Sequence, residues 1–270
     1  MIPRTDAGLR SRRSRTKGAR DYQEDSSAFW PAEKRGAGSA ELPLTASATR
    51  LIAVLADGMG GHTAGALASR MACKNFISAY ADLNGSRSDR LIKSLQSAND
   101  SIAAEVHANP VLSGMGTTLV AAVFTHEGVE WISVGDSPLL LYRRGEIALL
   151  NEDHSLAPEL DRMAAEGQMT PEQAKTTRDG TCCGSAVTGD ELDLVDVSRK
   201  PLMLEEGDYV ILASDGLHTL EIAEIERIVS AYANDGAEAV ANALIRAVEA
   251  IRDPHQDNTT VMAVRPLVVV

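Results

Sequence analysis

Ala56-Asp57-Gly58-Met59-Gly60-Gly61-His62 follows the apolar run Leu51 to Leu55 and hangs one carboxylate off the end of a buried-looking strand. The glycines around it let backbone oxygens approach whatever that carboxylate holds. Taken alone, an Asp-Gly turn is ordinary turn chemistry. Three more carboxylates stand at the ends of apolar runs: Asp136 in Val134-Gly135-Asp136-Ser137, Asp215 in Ala213-Ser214-Asp215-Gly216, and Asp257 in Gln256-Asp257-Asn258-Thr259-Thr260, just before the strand-like Thr259 to Val264. Carboxylates at strand ends can converge at one sheet edge, where they repel one another unless a cation lies between them. An all-oxygen donor set suits Mg²⁺ or Mn²⁺ rather than zinc, and no Cys/His cluster with zinc spacing occurs. The alternative is four independent turns.

The rest of the chain alternates in blocks. Strand-like runs are Ser26 to Phe29, Leu51 to Ala56, Thr118 to Phe124, Val129 to Val134, Leu139 to Tyr142, Leu192 to Val197, Tyr209 to Ala213 and Thr259 to Val264. Apolar residues recur at three and four over Ala64 to Leu83, Asp89 to Ala108, Ala223 to Tyr232 and Ala237 to Ile251, which predicts helices there. Two helices together, strands together and two helices again is an α+β layer pattern. Between Ser155 and Gly189 lies a segment of another character, with Ser155 placed to cap a short helix ending at Gly167. Thr170-Pro171-Glu172-Gln173 carries the cap, first-turn proline and capping-box glutamine of a second one.

No repeat or low-complexity linker divides the 270 residues, so one domain is expected. Arg4, Arg10, Arg12, Arg13, Arg15 and Lys17 crowd the first 17 residues, which read as a solvated basic tail without the apolar segment of a secretory signal. Three cysteines, two of them the adjacent Cys182 and Cys183, make no disulfide framework and favour a reducing compartment, hence the cytoplasm. The apolar stretches fall far short of the roughly 20 residues a membrane helix needs. A net charge of -12 argues against nucleic-acid binding, a phosphodiester nuclease included.

Arg20-Asp21-Tyr22-Gln23-Glu24-Asp25, Asp57-Gly58-Met59-Gly60-Gly61-His62, Gly114-Met115-Gly116-Thr117-Thr118, Gly135-Asp136-Ser137, Asp153-His154-Ser155, Ser214-Asp215-Gly216 and Asp257-Asn258 resemble, in order and spacing, the bacterial metal-dependent serine/threonine phosphatases of the PPM (type 2C) family. The resemblance implies a four-layer αββα sandwich, two antiparallel sheets flanked by helix pairs. It places the phosphatase domain at about 18–265, with an active-site flap at about 155–189. It further implies that Asp57 bridges two Mn²⁺ or Mg²⁺ ions, that the Gly58 carbonyl completes one shell, and that Asp215 and Asp257 hold the other ion. Asp136 with Asp215 resembles the pair for a third, weaker ion. Glu24 and Asp25 would orient water around the metals. Arg20 is the expected phosphate grip, its guanidinium fork matching two phosphate oxygens.

The activity so implied is hydrolysis of phosphoserine and phosphothreonine on proteins by a metal-bridged water, opposing a Hanks-type kinase, with a monomer expected. The runner-up within the family, an anti-anti-sigma-factor phosphatase, usually lacks the arginine motif and the flap. A catalytically silent pseudophosphatase is the alternative of another class. Two departures from the family pattern stand out. Met59 occupies the position of a histidine in many eukaryotic relatives, leaving metal-bound water, His62 or His154 as the proton donor. Thr181-Cys182-Cys183-Gly184-Ser185-Ala186-Val187-Thr188-Gly189 replaces the usual asparagine-apolar-threonine-arginine run of the flap.

Overall fold

The computed structural model describes residues 7–30, 42–44, 51–155, 160, 162–164, 166–170, 173 and 185–267. Strand β4, Leu51–Ala56, is buried along its whole length, and its alternation decides the layering. Leu51, Ala53 and Leu55 face one core, while Ile52, Val54 and Ala56 face another.

On the helical side of β4 lie α1 (His62–Asp82) and α2 (Arg87–Ala108), which bury Phe76, Tyr80, Leu91, Leu95 and Ile102 against Ile52 and Val54. Ser86 caps α2 by accepting the Asp89 N–H at 3.1 Å. Strand β4 belongs to a five-stranded antiparallel sheet with β2 (Ser26–Trp30), β7 (Leu119–Thr125), β8 (Gly128–Val134) and β11 (Asp196–Val197), in the order β11-β8-β7-β4-β2.

Leu51, Ala53 and Leu55 meet Leu139, Val210, Leu212, Met262 and Val264 of a second sheet. Its order is β10-β9-β12-β13-β1-β3, for β1 (Ala7–Thr16), β3 (Leu42–Leu44), β9 (Leu139–Arg143), β10 (Glu146–Leu149), β12 (Tyr209–Ala213) and β13 (Thr259–Leu267). The outer face of this sheet, with Ile211, Ala213 and Val261, packs on α3 (Ile222–Tyr232) and α4 (Ala237–Ile251) through Val229, Val240, Leu244 and Val248. Three cores between four layers make the expected αββα sandwich. A two-stranded ribbon of β5 (Gly58–Met59) and β6 (Gly116–Thr117) stands apart from both sheets.

The basic tail expected over residues 1–17 is corrected by β1. Residues 8–16 pair in unbroken antiparallel register with β13, from Gly8↔Leu267 to Thr16↔Thr259, and Ser11 is buried. The arginines read as tail because charge on both faces hides the alternation of half-buried Arg12 with exposed Arg13 and Arg15, although the heads find acceptors, Arg12 at Glu238 and Arg13 at the Ser27 carbonyl. The run Leu192 to Val197 is strand only at Asp196–Val197. In the flap, the capping box forms as expected: Thr170 Oγ1 accepts the Gln173 N–H at 3.1 Å, and the Thr170 N–H donates to Gln173 Oε1 at 2.8 Å. The Cys182-Cys183 pair lies outside the described residues. Among the described residues no helix is long and apolar enough to cross a membrane.

Candidate metal-dependent active site

Asp57 leaves the end of β4 at the rim of the inter-sheet core, and the loop before β7 fixes its backbone. The Asp57 carbonyl accepts from the Thr118 N–H at 2.8 Å and from Thr117 Oγ1 at 2.7 Å, while its N–H donates to Thr118 Oγ1 at 3.1 Å. That is the local work of the Gly114 to Thr118 motif. Gly58 and Gly65 are required by close approach. A Cβ on Gly58 would overlap the Gly65 backbone, and one on Gly65 would overlap the Glu24 carboxylate, so the first turn of α1 carries the Asp57 loop and Glu24 at contact distance.

Asp215 opens the short 3-10 turn Asp215–Thr219 after β12. Asp257 precedes β13, and Asp136 sits in the β8–β9 turn behind Gly135, whose φ of 103° an L side chain rarely adopts. Asp25 lies 4% exposed between Ser214 and Thr260, accepting both hydroxyls on Oδ2 at 2.8 and 2.7 Å. Asn258 clasps the loop that carries Arg20. Its Nδ2 donates to the Lys17 and Tyr22 carbonyls, each at 3.0 Å, and its Oδ1 accepts the Glu24 N–H at 2.7 Å.

These carboxylates feel one another. Burial, then the charges of Asp215 and Asp25, hold the Asp57 carboxyl well above the usual carboxylate range. Burial, followed by Asp136 and Asp257, pushes Asp215 up to about 7. Burial also raises Asp25, against the lowering effect of the Thr260 and Ser214 hydroxyls. Asp25, Asp57, Asp136, Asp215 and Asp257 therefore share one electrostatic neighbourhood, and Glu24 joins it through the contact of its carboxylate with Gly65.

The neighbourhood fits a hard divalent cation. Oδ1 of Asp25 and Oδ1 of Asp215 are buried and receive no N–H or hydroxyl, while the Asp57 carboxyl lies within hydrogen-bond reach of both side chains; carboxylates set against one another in this way suit an ion or a shared proton between them. Among the described residues, no three acidic, histidine or cysteine side chains are already closed into a ligating cluster. Positive charge is supplied instead by Arg20, whose Nη2 lies 2.6 Å from Asp257 Oδ2. Sequence reasoning did not foresee this pair.

His154 is 5% exposed and accepts the Gly135 N–H on Nδ1 at 3.3 Å, which places it as a support of the Asp136 turn. The His62 side chain lies outside the described ones; its backbone begins α1. Ser214, Thr260 and the Asn258 side chain were missed as functional groups. The signal for them was polar residues within or beside apolar strands, which need partners when buried.

The family described as Protein phosphatase 2C matches residues 44–256. The chain belongs to the protein phosphatase 2C family. "Serine/threonine protein phosphatase PstP" of Mycobacterium tuberculosis is 34% identical over 79% of the chain, which spans only 40% of that relative's length. "Protein phosphatase PhpP" of Streptococcus pneumoniae is 34% identical over 68% of the chain and 74% of its own. Among solved structures, the PstP catalytic domain in complex with two manganese ions superposes with a TM-score of 0.72 at 28% identity, covering 97% of this chain and 99% of that one. Stp1 of Staphylococcus aureus superposes with a TM-score of 0.73 at 25% identity, covering 96% and 94%. Asp257 lies one residue beyond the matched span of this protein phosphatase 2C chain, and Arg20 lies well before its start.

Proposed function

We propose that this protein hydrolyses phosphoserine and phosphothreonine on other proteins in a Mn²⁺- or Mg²⁺-dependent reaction. The observation that carries the reading is the gathering of Asp25, Asp57, Asp136, Asp215 and Asp257 into one mutually repelling group, with the Arg20 guanidinium on its rim. Asp57, the Gly58 carbonyl, Asp215 and Asp257 would hold two ions, Asp136 with Asp215 a third, and Glu24 and Asp25 the surrounding water. When bound, the ions supply the charge that offsets the carboxylates and the Lewis acidity that makes water nucleophilic near neutral pH.

The chain's own groups do the rest. Arg20 exchanges Asp257 for the phosphate, its fork taking two phosphate oxygens. Thr117 and Thr118 hold the Asp57 backbone so that its carboxylate cannot retreat as charge develops. No side chain is needed as nucleophile: the Ser137 hydroxyl is engaged with Thr118 at 2.7 Å, and that of Ser214 with Asp25. Met59 cannot donate a proton, so the departing serine or threonine oxygen takes its proton from water at the site, with His62 and His154, whose Nδ1 accepts the Gly135 N–H and leaves the ring proton on Nε2, as the side-chain alternatives.

The names carried by the relatives PstP and PhpP support a phosphoprotein substrate. A Hanks-type kinase as the opposing enzyme, a monomeric state and a cytoplasmic location complete the proposal. The test is hydrolysis of phosphoserine, phosphothreonine and phosphotyrosine peptides with and without Mn²⁺. Release of phosphate from the first two, abolished by chelation, is expected. Inactivity on all three would leave a pseudophosphatase.

A further inference from the structure

Asp25 holds its two carboxylate oxygens in unequal surroundings. Oδ2 receives the Ser214 hydroxyl at 2.8 Å and the Thr260 hydroxyl at 2.7 Å, whereas Oδ1 is buried and receives no N–H or hydroxyl. An ionised carboxylate only accepts, so both hydroxyl protons point at it. Thr260 has then used its one proton, and the 3.4 Å contact between its Oγ1 and Gln23 Nε2 runs from amide to hydroxyl. Ser214 is locked in the same way, since its Oγ accepts the Thr260 N–H at 2.9 Å. A donor chain therefore runs from Gln23 through Thr260 to Asp25. The two clamping hydroxyls come from neighbouring strands, Ser214 directly after the end of β12 and Thr260 within β13.

We propose that Ser214 and Thr260 are positioning residues for the metal centre: they take up one oxygen of Asp25 and so would keep the other for the water around the metal ions. The inference rests on the phosphatase reading. A hydroxyl pair that merely satisfied buried groups would matter for stability alone. One that sets the carboxylate should govern metal affinity, because groups that orient a ligand typically change affinity by about 10–100-fold when removed.

The test uses the full chain, stripped of metal by chelation. Thr260→Val keeps the branched shape and removes the hydroxyl; Thr260→Ser keeps the hydroxyl and removes the methyl. Mn²⁺ affinity is read by calorimetry, melting temperature in EDTA, and phosphopeptide kinetics at saturating Mn²⁺. Thr260→Val should weaken Mn²⁺ binding by about tenfold or more. Thr260→Ser should bind Mn²⁺ as the wild type does, and KM for the phosphopeptide should be unchanged in both. If Thr260→Val fails to fold, Ser214→Ala gives the same readings. Mn²⁺ binding by either hydroxyl-free variant as tight as by the wild type would overturn the proposal, as would equal weakening by Thr260→Ser and Thr260→Val. A wild type that takes up no Mn²⁺ at all would instead overturn the phosphatase reading beneath it.

Discussion

Replacing Arg20 by alanine is expected to move two affinities in opposite directions. In the structure Arg20 Nη2 lies 2.6 Å from Asp257 Oδ2, with side chains 45% and 39% exposed. An ion at Asp257 must first displace this guanidinium. For a pair so open to solvent the interaction is worth about 0.2–1 kcal/mol, so its removal should tighten Mn²⁺ binding by about 1.5- to 5-fold. Taking a positive charge away from an incoming cation acts in the same direction. The phosphate, by contrast, loses a charge-assisted contact of about 1.5–3 kcal/mol, which is about a 10- to 100-fold rise in phosphopeptide KM. Because the guanidinium touches phosphate in ground and transition states alike, kcat should fall less than KM rises. Calorimetric Mn²⁺ titration in about 0.15 M salt, where distant charges are screened, and initial rates at saturating Mn²⁺ separate the two effects. Weaker Mn²⁺ binding by the variant, or an unchanged KM, would refute the exchange of Asp257 for phosphate.

Other variants probe the rest of the site. Asp57→Asn should lose the paired ions and turnover, yet raise the melting temperature of the metal-free protein at pH 8. The sign follows from the raised carboxyls: a folded-state pKa above the unfolded value leaves the folded protein intact at low pH and costs stability as pH climbs from about 4 towards 7. The gain from Asp57→Asn should thus shrink towards pH 4, at about 2–4 °C for each kcal/mol relieved; a metal-free melting temperature independent of pH would contradict it. Asn258→Ala removes the acceptor of the Glu24 N–H and the side-chain donor to the Tyr22 and Lys17 carbonyls, leaving the Lys17 carbonyl only the Arg20 N–H, and should cost about 1–3 kcal/mol, read as a lower melting temperature together with a higher phosphopeptide KM. His154→Gln should lower kcat by less than about tenfold if the ring only supports the Gly135 turn; a fall of about 10²-fold or more would mark it as the proton donor.

The layers were legible in the sequence where one period ruled. Leu51–Ala56, Tyr209–Ala213 and Ala237–Ile251 have the predicted bounds because the two strands are buried at every position and the helix along one continuous face. β1 was not legible, since arginines stand on both of its faces, Arg12 on the half-buried one and Arg13 and Arg15 on the exposed one, and hide the period of two. β10 was missed because an edge strand with Glu146 and Leu149 exposed shows no clean alternation. In the site, the acidic positions could be read because each follows or precedes an apolar run. The partners could not. Arg20 with Asp257, Ser214 with Asp25 and Asn258 with Glu24 join opposite ends of the chain, and nothing local in either stretch specifies the other.

The pairing of β1 with β13 sets the order in which the candidate site is assembled. As the chain emerges during synthesis, the strand that leads to Arg20 and Asp25 appears well before β13, its lasting partner. Closing so large a loop is entropically slow, so the early hairpins β4–β7 and β7–β8 with their helices can settle long before it. Until β13 docks, Asp25 lacks the Thr260 hydroxyl, Arg20 lacks Asp257, and the loop between them lacks the Asn258 clasp. A chain on which β13 has not yet docked accordingly lacks these three contacts, and the centre proposed above is drawn together only by that docking.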